Sequence, residues 1–488
     1  MNVRIGKIVC LLFVGLLVKD VYAQSDSIDI FLKKEMLKRR IPGLQLAIVK
    51  NGAIIKTGNY GLANIQDSIA VDSRSLFTIN SITKAFTGIA IMQLVEAGKL
   101  NLSSPVSAYL NNLPDSWRLV TIQQLLSHIS GIPDIVDEEE ATLISPYGLE
   151  ASWKQIQTLS MDFKPGEKFS YNQTNYLLLG RIIDTLSGMR FTEFITKEQL
   201  EKAGMPGTIS AGFGATKEVI IHAAAQYQYR KGKLSNMFFS FDYPLQTAAG
   251  MSSTATEMAT WIIALQNNQF LKDKKSMVAL WTPAKLNNGK TGGFSSQLNG
   301  YAAGWPIVVR EEHTAFAPVG GGRSAVFVYP DDNLSIIVLT NLSGATPDAF
   351  IDELAGFYIP GMKASNGFGL SASIKLLRTE LEKAGYKNAI KTFEKIKKAN
   401  AGFQLKEADV NSWGYQLINQ KRITDALEIF KLNVYLNPTS ANVFDSLGET
   451  YAELGDTESA IRNYEQSVKL NPQNSHAINQ IQQLKANK

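Results

Sequence analysis

The chain of 488 residues contains one cysteine, Cys10, and four histidines, His128, His222, His313 and His476. With a single thiol there is no intramolecular disulfide and no cysteine-ligated metal centre to expect. The histidines are not spaced as a metal-binding pair, so the pattern excludes the common zinc hydrolase arrangements and calls for neither a metal nor another cofactor. No G-x-S-x-G elbow occurs, which argues against a Ser-His-Asp hydrolase of that type. Charge is also scarce in one respect: Lys and Arg number 49 against 44 Asp and Glu, a formal net charge of +5 without any dense basic cluster. That balance gives no footprint for a nucleic-acid partner. Beyond the first twenty-odd residues no apolar run is long enough to cross a bilayer.

That first stretch, MNVRIGKIVCLLFVGLLVKDVYAQ, places Arg4 and Lys7 before an apolar run from Ile8 to Val18 and ends on the small residue Ala23. It reads as a secretory leader, residues 1–23, removed after Ala23 to leave a soluble periplasmic or secreted product with no membrane span. Cys10 lies inside the run, so the mature chain would carry no thiol at all.

The remainder has two textures. From 28 to 362 turns, strands and helices alternate; 363–373 reads as a linker; from 374 to 488 the sequence has helical periodicity and is rich in Lys, Glu, Gln and Asn. In the first region LQLAIVKNGAIIKTGNYG reads as two strands joined at Asn51-Gly52, a pair suited to the positive φ angles of a two-residue hairpin turn. A second hairpin is expected from Ser324–Tyr329 and Leu334–Thr340, and Thr346-Pro347 then opens a helix ending before Pro360. Helices are expected between the hairpins, one from Ser81 to Ala97 stopped by Gly98 and another opening at Thr121. An α+β fold follows: an antiparallel sheet built from both ends of the region, flanked by helices and carrying a helical subdomain, ahead of an all-α array.

In that array Gly414, Ala426, Phe430, Leu436, Asn437 and Pro438 recur 34 residues later as Gly448, Ala460, Tyr464, Leu470, Asn471 and Pro472. The period and the small-then-aromatic spacing resemble tetratricopeptide repeats. Ala384–Lys398 keeps the spacing at Ala389 and Phe393 as a degenerate first unit. Such arrays stack helix pairs into a surface for an extended peptide or a protein partner.

Ser81 and Lys84 stand three residues apart in INSITKAFTG, on one face of the expected helix. A helix cap followed by a solvated lysine is one reading; a nucleophile and its base is the other. A serine hydroxyl needs an adjacent base, and a lysine serves only if its surroundings lower its pKa. The surroundings carry more. LFTINSITKAFTGIAIMQLVEAGKLNL, TIQQLLSHISGIPD, PGEKFSYNQTNYLLLG, YAAGWPI and GGGRSAVFVYPDDNLSIIVLTN resemble, in order, the blocks of the class C β-lactamase-related serine hydrolases. The resemblance covers residues 28 to 362. It implies a nucleophilic Ser81, a Lys84 that shuttles its proton and a Tyr171 in the second catalytic element. His128, in LLSHISGIP, reads by itself as a residue that orders a turn.

The sequence departs from that pattern twice. Gln173 stands where the family's second element has Asn, and is expected to position substrate. The third element, usually Lys-Thr-Gly or His-x-Gly, aligns with Pro318-Val319-Gly320 and lacks the cation. Gly320 and Gly321 remain as substrate-binding backbone, with the amide near Gly321 and that of Ser81 forming an oxyanion hole. A literal Lys290-Thr291-Gly292 precedes the YAAGWPI block and reads as a loop. The expected activity is therefore hydrolysis of an ester or amide in a small-molecule or peptide substrate. The alternatives are a true β-lactamase or D-Ala-D-Ala carboxypeptidase, and a non-catalytic protein that works through its repeats.

Overall fold

The computed structural model describes residues 27–137, 142–214, 219–238, 240–363 and 366–486. The expected leader and positions 364 and 365 of the expected linker lie outside the described residues. The chain forms two compact units, divided between Ile359 and Pro360.

In the first unit the hairpin at Asn51-Gly52 joins β1 (Gly43–Lys50) to β2 (Ala53–Asn64), with Lys50 paired to Ala53. Asn51 and Gly52 have φ of 51° and 76°, the left-handed values that a two-residue hairpin turn requires. The short β3 (Val319–Gly320) runs through a tight turn into β4 (Ser324–Tyr329), and β5 (Leu334–Thr340) returns beside it. The sheet is antiparallel, and its centre is β4-β5-β1-β2. β1 and β5 pair from Leu44–Thr340 to Lys50–Leu334, so strands near the two ends of the unit meet at its centre. Shorter strands at Ala315–Phe316, Pro306–Val308 and Gly300–Tyr301 extend it beyond β4.

β2 alternates between exposed and half-buried residues, as an outer strand does, whereas β4 and β5 are buried throughout. Ala47, Val49, Val326, Val328, Ile337 and Leu339, spaced by two along their strands, turn one sheet face toward the main core. That core includes α1 (Thr83–Glu96), α2 (Gln173–Ser187) and α3 (Ala255–Gln266). α1 is buried at every position from Thr83 to Met92, so it is a central helix and not an amphipathic cover. It follows a 3₁₀ turn at Asn80–Ile82, a tighter start than a helix running straight from Ser81. The helix opened by Thr121 is a single short one, Ile122–Leu126, held by a reciprocal cap between Thr121 and Gln124. The α+β arrangement, an antiparallel sheet with a helical subdomain, matches the expectation from sequence.

The second unit is all helix. Its pairs are Ala372–Ala384 with Ala389–Ala399, Glu407–Asn419 with Ile423–Leu436, and Ala441–Glu453 with Thr457–Leu470, followed by Ser475–Ala486. The repeat has a direct physical basis. A β-carbon on Gly414 would fall 2.4 Å from Phe430, and one on Gly448 2.9 Å from Tyr464, so any side chain there would force the ring to move. The same register sets a polar clasp: Asn433 donates to the Glu407 carbonyl at 3.2 Å, and 34 residues later Ser467 donates to the Ala441 carbonyl at 2.8 Å. Tyr415 bridges successive repeats by donating to Glu449 at 2.6 Å.

Candidate active site

The site begins where the chain enters α1. Asn80 has φ of +45°, a left-handed conformation that asparagine tolerates better than most residues. The Thr83 hydroxyl donates to the Asn80 carbonyl at 2.6 Å and fixes the turn. Ser81 sits on this turn, half-buried, and lines a cavity of about 810 Å³.

Lys84, one helical turn on, is fully buried. Its Nζ donates to Gln173 Oε1 at 2.8 Å and to the Ala248 carbonyl at 2.9 Å. It also lies 4.6 Å from the centre of the Tyr171 ring and 5.1 Å from that of Tyr176. Burial pulls its pKa down to about 7, against an opposing pull from the negative charge of Asp134. A neutral amine has two N–H groups and one lone pair. Two acceptors already take two N–H groups, which leaves one position at the nitrogen where a proton can be held or released.

Tyr171 and Gln173 come from the segment that starts α2. Asn172 caps that helix by accepting from the Asn175 amide at 2.8 Å, and its own side chain donates to the Ile132 carbonyl at 2.6 Å. With the cap fixed, Gln173 directs its side chain to Lys84 and its backbone N–H to Asp134 Oδ1 at 2.9 Å. The Tyr171 hydroxyl faces the side chains of Ser81 and Gln173, both of which favour its charged form. Burial raises its pKa, so it is a protonated phenol at neutral pH.

His128 stands behind this group. Its Nδ1 accepts the Asn172 N–H at 3.1 Å, which puts its proton on Nε2, and its ring centre is 4.5 Å from that of Tyr171. Burial, reinforced by the nearby Lys84 charge, depresses its pKa and keeps the imidazole neutral. These contacts hold the segment that presents Tyr171.

β3 closes the opposite side. A β-carbon on Gly320 would stand 2.0 Å from the Ile79 carbonyl oxygen and 3.2 Å from the Ser81 nitrogen, so glycine alone lets the strand lie against the Ser81 turn. Gly321 follows with φ of +56° and lines the cavity. Ser81, Lys84, Tyr171, Gln173, Gly320 and Gly321 are thus gathered from three separate segments. The Lys290-Thr291-Gly292 loop is not among them: Lys290 is exposed, and Gly292 packs against Phe169.

Three further residues belong to the site and were not singled out from the sequence. Asp134 lies beside Gln173 and has a pKa raised to about 6, chiefly by burial. Asn80 and Arg323 line the Ser81 cavity. Asp134 and Arg323 fall within the blocks TIQQLLSHISGIPD and GGGRSAVFVYPDDNLSIIVLTN, but no local pattern in those blocks says which residues face inward. Among the described residues no group of three or more His, Cys, Asp or Glu could hold a metal ion, and no helix is long and apolar enough to cross a membrane.

Residues 28–358 match the family model described as Beta-lactamase, and residues 441–474 match that of a tetratricopeptide repeat. Protein flp of Staphylococcus aureus (strain N315) is 30% identical over 340 residues, covering 68% of this chain and 66% of that protein, slightly under two thirds of its length. Penicillin-binding protein 4* of Bacillus subtilis (strain 168) is 27% identical over 321 residues, covering 62% of this chain and 69% of that one. Among solved structures, a penicillin binding protein from Bacillus halodurans superposes with a TM-score of 0.56 at 27% identity, over 66% of this chain and 98% of its own. The octameric penicillin-binding protein homologue from Pyrococcus abyssi shares the fold, with a TM-score of 0.60 at 24% identity over 72% of this chain and 81% of its own.

Proposed function

The chain belongs to the beta-lactamase family, and we propose that it is an exported serine hydrolase cleaving an ester or amide through an acyl-enzyme on Ser81. The observation that carries this reading is the contact set around the nucleophile. The Tyr171 hydroxyl faces Ser81, and a buried Lys84 is fixed by Gln173 Oε1 and the Ala248 carbonyl.

In the first step Ser81 Oγ bonds to the substrate carbonyl carbon while its proton passes to neutral Lys84, directly or through the Tyr171 hydroxyl. The backbone N–H groups of Ser81 and Gly321 hold the carbonyl oxygen as it becomes negative. The bond to the leaving alcohol or amine then breaks, and that group takes the proton back through Tyr171. A water molecule attacks the acyl-serine, gives one proton to the same relay, and releases the acid with Ser81 restored. Tyr171 acts as a phenol that passes protons on, because burial raises its pKa. Gln173 keeps Lys84 in place and reaches the cavity. His128 has its acceptor nitrogen occupied and stays outside the relay.

The leader read at residues 1–23 supports export to the periplasm or the medium. The repeats supply a surface for a protein partner. An intact Ser81, Lys84 and Tyr171 in mutual reach favour an enzyme over a protein that only binds.

A serine-directed fluorophosphonate should label the mature protein at Ser81, and Ser81→Ala should abolish both labelling and turnover of a short aryl ester. Turnover surviving in Ser81→Ala would overturn the assignment.

A further inference from the structure

Basic residues that stand apart in the sequence meet on one surface of the first unit. The helix over 27–39 buries Ile28, Leu32 and Met36, and Phe31 packs edge-on against Phe350 and Phe357. Its opposite face carries Ile30, Lys33, Lys34, Leu37 and Lys38, all exposed, at the spacing of one helical stripe. Leu37 is 82% exposed and Ile30 68%, so two large apolar side chains stand in water among three lysines. The neighbouring acids are engaged. Asp29 pairs with Lys56 at 2.7 Å, and Glu35, itself buried, holds Arg39 at 2.9 Å and lies 3.9 Å from Lys38. The exposed Glu353 lies near Lys34 and Lys38 and offsets part of their charge.

A separate hairpin adjoins the end of this helix. Tyr227–Arg230 pairs with Lys233–Asn236 through a turn at Lys231-Gly232, both at positive φ. The Arg40 guanidinium lies 5.5 Å from the centre of the Tyr229 ring and ties the hairpin to the helix. Arg230 stands directly opposite Lys233, with Lys231 in the turn between them, and Tyr229 stands opposite Leu234. Like charges directly opposed in a strand pair destabilise it. Three exposed cations at one tip therefore add nothing to the fold and call for negative charge from outside. Tyr229 and Leu234, also exposed, repeat the helix's mixture of cationic and apolar side chains.

We propose that this surface, the outer stripe of the 27–39 helix with the tip of the hairpin, docks the protein on an anionic phospholipid bilayer. The Lys and Arg charges match the headgroup phosphates, and Ile30, Leu37 and the Tyr229–Leu234 pair enter the boundary between headgroups and acyl chains. A soluble polyanion would satisfy the charges and leave Ile30 and Leu37 in water. A bilayer takes both. The attachment lies in the plane of the interface and weakens as salt screens the charges.

The test uses the mature protein without residues 1–23, so that the apolar run of the leader takes no part. It is sedimented with vesicles of phosphatidylcholine alone, or of equal parts phosphatidylcholine and phosphatidylglycerol. Partitioning should be at least about tenfold stronger into the anionic vesicles and largely lost at about 1 M salt. Lys33→Gln/Lys34→Gln/Lys38→Gln should lower it by about tenfold to a hundredfold, and Arg230→Gln/Lys233→Gln by about tenfold. Removing the same charge from the repeat unit, with Lys391→Gln/Lys395→Gln/Lys398→Gln, should change it by less than about twofold. Leu37→Ser keeps every charge and should still weaken it about threefold to tenfold. The chain after residue 23 has no thiol, so an environment-sensitive dye on Leu37→Cys reports that site alone. Its emission should brighten and shift to the blue on anionic vesicles, and the same dye on Leu376→Cys in the repeat unit should not respond. Circular dichroism and ester turnover should match the wild type in every variant, because none of these residues belongs to the Ser81 site. Equal partitioning into both vesicles, an equal loss in the repeat-unit control, or a dye at position 37 that stays in water while the protein sediments would each overturn the proposal. So would wild-type binding by Leu37→Ser, which would make the surface a site for a soluble polyanion.

Discussion

The two units solve opposite problems with buried polar groups. In the hydrolase unit Lys84, His128, Asp134 and Arg323 are withdrawn from water, and burial moves the pKa of each away from its ordinary value. In the repeat unit the buried positions that recur are Gly, Ala and aromatic, and the recurring polar side chains, Asn433 and Ser467, each clasp a carbonyl of the preceding helix and accept from an asparagine amide, that of Asn437 and of Asn474. One unit accepts the cost of desolvated charge to make groups reactive; the other repeats a neutral close-packed contact. Chemistry and stability should therefore respond to different substitutions.

The largest effect should come from breaking the proton relay. Lys84→Ala and Tyr171→Phe should each lower kcat on a short aryl ester by about two to four orders of magnitude, the scale of general acid–base catalysis. Circular dichroism should show both variants folded. A fall in melting temperature with near-normal kcat would instead make the two residues structural.

An intermediate effect is expected in the repeats. Gly414→Val forces a side chain against Phe430, where even a β-carbon has only 2.4 Å. The repeat unit should lose about 1–3 kcal/mol by overpacking, read as an earlier unfolding transition by calorimetry. Adding Phe430→Leu should recover part of the loss. Ester turnover should stay at the wild-type level, because Ser81, Lys84, Tyr171 and Gln173 all belong to the first unit. A parallel loss of turnover would break the separation between the units.

The smallest effect sharpens the comparison most. The pKa of Lys84 is about 7 in the folded protein, below the usual lysine value. The folded state thus binds fewer protons than the unfolded chain between pH 7 and the ordinary lysine range. Stability rises with pH across that window, and the cost of the buried charge is full below it. Catalysis needs the neutral amine, so kcat/KM should rise with pH through an inflection near 7. Asp134 opposes the depression through its negative charge. Asp134→Asn should therefore move the inflection to lower pH with little loss of the plateau rate. A shift to higher pH, or no shift, would show that Asp134 does not act on Lys84.

Much of this was legible without coordinates. The Asn51-Gly52 turn, the paired strands 324–329 and 334–340, and the 34-residue register are local: each depends on residues within a few turns of one another. Ser81, Lys84 and Tyr171 stood out through ordered blocks, and Gly320 through its place after Pro318. Asn80, Asp134 and Arg323 were not legible, because each matters through a neighbour far along the chain. Asp134 acts across the start of α2, and Arg323 across the turn that brings β3 onto Ile79 and Ser81.

The sequence by itself determined the order of elements, the repeat and the identity of a serine and a lysine one helical turn apart, since backbone propensity and periodicity are encoded within short windows. The tertiary structure decided what those residues can do. A lysine becomes a base near neutral pH only when the helix carrying it is buried on all sides. A strand can lie against the Ser81 turn only when glycine at position 320 lets it approach the Ile79 carbonyl. Desolvation and charge proximity are properties of the assembled core, and no window of the chain contains them.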